Sequence, residues 1–245
     1  MMKLFKYSGC KSKLIPHYRR PPAGTLRVVE PYLGSGAYIL STELPGLGYE
    51  INDEVVSLWR WLKSTNEEDL LRLARVVDEL RSAKEKPDVR ELGLDLGRQT
   101  YVRLSAASIV TGQLKSWKLY PKHKLPIEKT IECLPRLNDI EVVHGSANEY
   151  VHREGDLLFI DPPYVGTDGG YMGEQGKRNH GSAYLPEDTI HLISSTTNPI
   201  IFTYGDGAPE IFRDFVWSPV KTMKVPNMRS GGTTDRTEWV SYINW

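Results

Sequence analysis

The sequence predicts an α/β protein: a mixed sheet, mostly parallel, with helices on both faces. Three observations carry that prediction. Short apolar runs alternate with helical stretches over 25–64, in the order β-α-β-α. The same alternation resumes after 138. The last stretch of the chain is strand-rich, which suits an antiparallel end to the sheet.

The elements follow in order. "LRVVE" ends at Glu30 as a short strand, "LGSG" is a glycine turn, and a helix start follows. "GYEI" is a second strand. "DEVVSLWRWLKS" places Val55, Val56, Leu58, Trp59 and Leu62 at helical spacing. Over 66–137 the pattern changes. "NEEDLLRLARVVDELRS" is amphipathic, with Asn66 as N-cap and acids in its first turn. "GRQTYVRLSAASIVTG" is a further helix, "QLKSWKLYPKHKLP" a basic and aromatic loop, and "IEKTIECLPRL" a returning helix. This interval reads as an insert. Beyond it come strands "IEVVHGS" and "DLLFI", helix "PEDTIHLISS", strand "PIIFTYG", helix "APEIFRDFV" and strand "TEWVSYINW".

Bulk properties narrow the function. The 245 residues suit one α/β domain with a sizeable insert. The 31 basic and 31 acidic residues cancel, against a protein that coats nucleic acid through bulk charge. No run reaches the roughly 18–20 apolar residues of a membrane helix. The first residues lack an apolar signal core, so a cytoplasmic protein is expected. Cys10 and Cys133 form no CxxC pair, and the six histidines show no metal spacing, so no metal is expected.

The candidate chemistry sits at strand ends, where open α/β sheets bind ligands. At "EPYLGSG", Gly34 and Gly36 let a ligand approach backbone. The pattern is neither GxGxxG nor GxxxxGK[ST], so phosphate binding is poorly supported. Glu50, ending the second strand, can accept from ribose hydroxyls. A glycine turn with a ribose acid and no phosphate contacts fits S-adenosyl-L-methionine. At the end of "DLLFI" stands Asp161-Pro162-Pro163-Tyr164. Asp161 and the carbonyl of Pro162, held by restricted φ angles, offer two acceptors to one amino group. Such acceptors localise the lone pair of a poorly nucleophilic exocyclic amine, and Tyr164 offers a ring for stacking a base.

These blocks resemble, in order, the motifs of Dam-type (alpha-group) N6-adenine-specific DNA methyltransferases. "FKYSGCKSKLI" is similar to their N-terminal lysine motif, "VVEPYLGSGAY" to their glycine motif, "YEIND" to their D-I-N and "DLLFIDPPY" to their strand into DPPY. "IIFTYGDGAPEIF" and "RSGGTTDRTEWVSYINW" resemble the closing strands. The resemblance implies a Rossmann-like class I methyltransferase: a cofactor-binding catalytic domain over 1–65 and 138–245, and an inserted helical target-recognition subdomain over 66–137. It implies methyl transfer from S-adenosyl-L-methionine, leaving S-adenosylhomocysteine, to the N6 amine of an adenine flipped from DNA. It places Tyr7, Gly9, Lys11, Glu30, Tyr32, Gly34, Gly36, Glu50, Ile51, Ser146 and Asp161 at the cofactor, and Asp161, Pro162, Pro163 and Tyr164 at the reacting amine. Ser146 stands where the family has an acid.

The basic, aromatic stretch with Lys115, Trp117, Lys118, Tyr120, Lys122 and Lys124, and a second spot at Lys177 and Arg178, are the candidates for DNA contact. The family's R-x-N-x-x-G-x-F-N pattern is missing, so a GATC target is not implied. Double-stranded DNA is the expected partner, a monomer the expected state, and restriction-modification in a bacterial or phage-infected cell the expected setting. The alternatives are the same chemistry on RNA or single-stranded DNA, and a binding module or inactive partner subunit on the same fold.

Overall fold

The computed structural model describes residues 4–5, 7, 10–82, 87–107, 124–164, 184–226 and 233–245. Seven strands form one mixed sheet: β1 (Arg27–Glu30), β2 (Gly46–Glu50), β3 (Ile140–His144), β4 (Asp156–Ile160), β5 (Ile200–Gly205), β6 (Ser218–Pro226) and β7 (Thr233–Ile243), in the order β3-β2-β1-β4-β5-β7-β6. The first five are parallel; β7 runs antiparallel to both β5 and β6. The expected antiparallel end is therefore present. From β1 the chain steps outward to β2 and β3, then returns to β4 and steps the other way. That reversal between β1 and β4 is a switch point, where such sheets open a crevice.

Alternation along the strands gives each face its own core. Val28, Leu157, Phe159 and Ile201 pack with α1 (Asp53–Ser64), α2 (Glu67–Ser82), α3 (Leu96–Ala106) and α4 (Ile127–Leu137). Val29, Leu158, Ile160, Ile200 and Phe202 pack on the other face with Leu192 and Ile193 of α5 (Pro186–Ser194) and with Phe212. Strands buried on both faces explain why "DLLFI" and "IIF" read as unbroken apolar runs. Helices α2 and α3 put Leu70, Leu73, Val77, Tyr101 and Val102 into the same core as the sheet.

Local signals account for the helix starts. Asn52 caps α1, its Oδ1 accepting from the Glu54 N–H at 3.0 Å. Asn66 Oδ1 accepts from the Asp69 N–H at 2.9 Å, the cap expected for α2. The five apolar residues predicted for the inner face of α1 are all buried there.

Two expected helices are single 3-10 turns. After the glycine turn the chain forms only Ile39–Ser41, because Thr42 returns to extended backbone and the chain enters β2 at Gly46. Over 208–216 only Glu210–Phe212 is helical. There Phe212, Phe215 and Trp217 all pack on Phe202, and the Trp217 indole donates to the Phe212 carbonyl at 3.0 Å, so aromatic packing overrides helical spacing. Edge strand β6, "SPVKTMKVP", has no expectation in the sequence. Among the described residues no helix is long and apolar enough to cross a membrane.

Candidate active site

The carboxyl ends of β1, β2 and β4 meet at the switch point and open into a cleft of about 960 Å³, mouth included. Of the residues predicted for cofactor and chemistry, Tyr7, Lys11, Glu30, Tyr32, Gly34, Glu50, Ile51, Ser146, Asp161 and Pro163 all line it. Pro162 is buried and Tyr164 half-buried, and both stand outside the lining together with Gly36. Lys124 is exposed and away from the lining. Gly9, Lys115, Trp117, Lys118, Tyr120, Lys122, Lys177 and Arg178 lie outside the described residues.

The turn after β1 is built by close approach. Gly34 has φ +46°, and a Cβ there would lie 2.8 Å from the Tyr7 ring. The Trp59 indole donates to the Gly34 carbonyl at 3.0 Å, fixing the turn to α1. Glu50 braces the same turn. Its Oε2 accepts from the Gly34 N–H at 3.0 Å and its Oε1 from the Asn52 N–H at 2.9 Å. Burial pushes the Glu50 carboxyl up to about 7, with the backbone N–H bonds pulling the other way. Glu30 ends β1 and accepts from the Ile39 N–H at 2.6 Å. Burial pushes it up to about 8.

Ser146 caps the 3-10 turn Ala147–Glu149. Its Oγ accepts from the Asn148 N–H, while its own N–H donates to Glu149 at 2.8 Å. The Glu149 carboxylate is thus turned back onto the chain. Among the lining residues that sequence reasoning did not assign to the site are Tyr184, Asp188 and Asn52. The hydroxyls of Tyr32 and Tyr184 share Thr189 at 3.0 and 2.9 Å, with their rings edge to face at 5.8 Å.

Asp161 follows β4. Its Oδ1 accepts from Lys11 Nζ at 2.7 Å and from the Thr203 hydroxyl at 3.0 Å. Oδ2 has no partner among the described residues. Lys11 is 4% exposed, and it also reaches Glu238 Oε1 at 3.2 Å and the Tyr164 hydroxyl at 2.8 Å. That hydroxyl donates to Glu238 at 2.7 Å. Burial alone would lower the Lys11 ammonium, but the Asp161 and Glu238 carboxylates hold it raised. Glu238, from β7, was not singled out by sequence reasoning.

Among the described residues, four carboxyl groups line the cleft, Glu30, Glu50, Asp161 and Asp188, against one ammonium, Lys11. An acidic lining disfavours phosphate and favours a cationic, hydroxyl-bearing ligand. No group of three or more potential metal ligands occurs among the described residues.

Fold and site together define an α/β protein with an acidic ligand cleft at its switch point and a DPPY segment at the cleft's edge. No protein-family model matches the chain. Over 269 aligned residues it is 23% identical to the Retron Ec67 DNA adenine methylase of Escherichia coli, a similarity that covers 98% of this chain and 91% of that protein.

Proposed function

We propose that the protein is an S-adenosyl-L-methionine-dependent DNA methyltransferase acting on the N6 amine of adenine. The observation that carries this reading is the Asp161 carboxylate in the cleft, with Oδ1 fixed by Lys11 and Thr203 and Oδ2 left for a substrate N–H. The full-length similarity to a DNA adenine methylase supports it. The lining fits the cofactor: Glu50 for ribose hydroxyls, the Gly34 turn and Tyr7 for close packing, Tyr32, Ile51 and Ser146 around them, and an acidic surround for a sulfonium. When bound, that cofactor supplies the methyl group.

The chain's own residues position the amine. Asp161 and the Pro162 carbonyl accept its two N–H groups, which turns the nitrogen lone pair toward the donor. Tyr164 flanks the extruded base. Extrusion costs a few kcal/mol, and stacking returns about 1–3 kcal/mol. Lys115, Trp117, Lys118, Tyr120, Lys122, Lys124, Lys177 and Arg178 are assigned to phosphates and exposed bases, and the interval 66–137 to target recognition.

The test is transfer from labelled cofactor to DNA of varied sequence, followed by digestion and identification of the modified nucleoside. N6-methyladenine is expected. Asp161→Ala should cost at least about 10²–10³-fold in transfer with the fold largely intact. Cofactor binding without transfer to any DNA or RNA would instead mark a binding module, and full activity of Asp161→Ala would overturn the mechanism.

A further inference from the structure

Asp161 is held through a lysine that is itself shared. Lys11 Nζ lies 2.7 Å from Asp161 Oδ1 and 3.2 Å from Glu238 Oε1, and all three side chains are at most one-fifth exposed. The Tyr164 hydroxyl closes the ring, accepting from Lys11 and donating to Glu238. Two features of the sheet build this arrangement. Glu238 on β7 pairs with Gly205 on β5 across an antiparallel ladder. The Tyr164 ring occupies the space above Gly205, where a Cβ would come within 2.7 Å of it. The ring also packs on Tyr204, at 4.4 Å between centroids. Gly205 thus admits the ring, and Glu238 meets its hydroxyl.

A single buried ammonium between two carboxylates divides its donors between them. Without Glu238, the Lys11 ammonium would turn toward both oxygens of Asp161, covering Oδ2. Among the described residues, the charged and titratable groups around Glu238 are Lys11, Tyr164, Asp161, through space Tyr18, and Lys221 opposite it on β6.

We propose that Glu238 is a positioning residue: it holds Lys11, with the Tyr164 hydroxyl, on the Oδ1 side of Asp161 and so keeps Oδ2 open for the substrate's amino group. This rests on the methyltransferase reading given above. Its consequence is specific: Glu238 acts through Lys11.

The test compares single-turnover methyl transfer at saturating cofactor in the wild type, Glu238→Gln, Lys11→Met and the double variant. Glu238→Gln is expected to lower the rate about tenfold or more, with cofactor Kd within about twofold. The double variant should be no slower than Lys11→Met alone, since the path from Glu238 runs through the lysine. A wild-type rate for Glu238→Gln, or losses that multiply, would overturn the proposal. Glu238→Asp keeps the charge on a shorter arm and should recover part of the rate, which covers the case in which Glu238→Gln does not fold. A second readout is independent of activity. In protein labelled at lysine Cε, the Lys11 resonance should titrate at lower pH in Glu238→Gln and in Glu238→Asp than in the wild type. An unchanged titration overturns the proposal. Should the wild type methylate no nucleic acid, the methyltransferase reading fails, and the titration still decides whether Glu238 holds Lys11.

Discussion

Glu50 shows what burial does to a strand-end acid answered only by backbone. Two N–H groups engage its oxygens, and burial still lifts it to about 7. A ligand that adds hydroxyl donors favours the ionised form, so it lowers this value on binding. Cofactor affinity should therefore rise between pH 6 and 8, with a proton released on binding. Calorimetry in two buffers of different ionisation enthalpy reads both. Glu50→Gln should flatten the dependence and weaken binding about 10–100-fold, as expected for loss of a charge-assisted bond. An unchanged pH profile in that variant would remove Glu50 from the cofactor's contacts. At this scale the sequence is informative about residues whose role is local. Glu50 stands at a strand end and announces itself. Glu238 meets Lys11 from almost the whole length of the sequence away, and no local pattern can encode that encounter.

At the scale of elements, β5 carries a constraint that its apolar pattern conceals. Gly205 ends the strand with extended backbone, yet any side chain there meets Tyr164. Gly205→Ala should shift that ring, cost about 1–3 kcal/mol of stability from overpacking, and slow transfer beyond what the stability loss explains. Chemical denaturation and single-turnover kinetics measure the two separately; a variant as stable and as fast as the wild type would contradict the packing described. The helices α1 to α5 were legible because 3.6-residue periodicity, and for α2 the Asn66 cap, are local physics, although α3 ends at Ala106, short of the helix read over 97–112. The run 208–216 misled because Phe212 and Phe215, with Trp217 just beyond, answer to Phe202 on a strand rather than to their own helix. Edge strand β6 stayed hidden because exposed, proline-bearing edges lack an apolar signature. Strand order, and with it the meeting of β1, β2 and β4 at one cleft, comes from non-local pairing.

For the molecule as a whole, buried carboxylates make ligand-free stability depend on pH in an unusual direction. Glu30, at about 8, and Glu50, at about 7, are both raised by burial, and Glu238 is raised as well. Each binds its proton more tightly folded than unfolded. Their contribution is complete below the ordinary carboxylate range near 4.5 and is lost as pH climbs through 7 and 8. Lys11, also raised, contributes fully below its ordinary 10.5 and adds no slope there. The unliganded protein should lose on the order of a few kcal/mol between pH 5 and 9. Thermal unfolding across that range checks it, and a midpoint that rises with pH would refute it. Cofactor at about 100 times Kd should return roughly 2.7 kcal/mol.

The shared lysine also has a history in time. Lys11 is made before any of the seven strands, and Glu238 only after β1 to β6 have been made. At about 5–20 residues per second, tens of seconds separate them on the ribosome. An ammonium bound for a buried site has no second carboxylate to enter with until β7 emerges. The ion pair of Lys11 with Glu238 is therefore completed only once β7 is laid between β5 and β6.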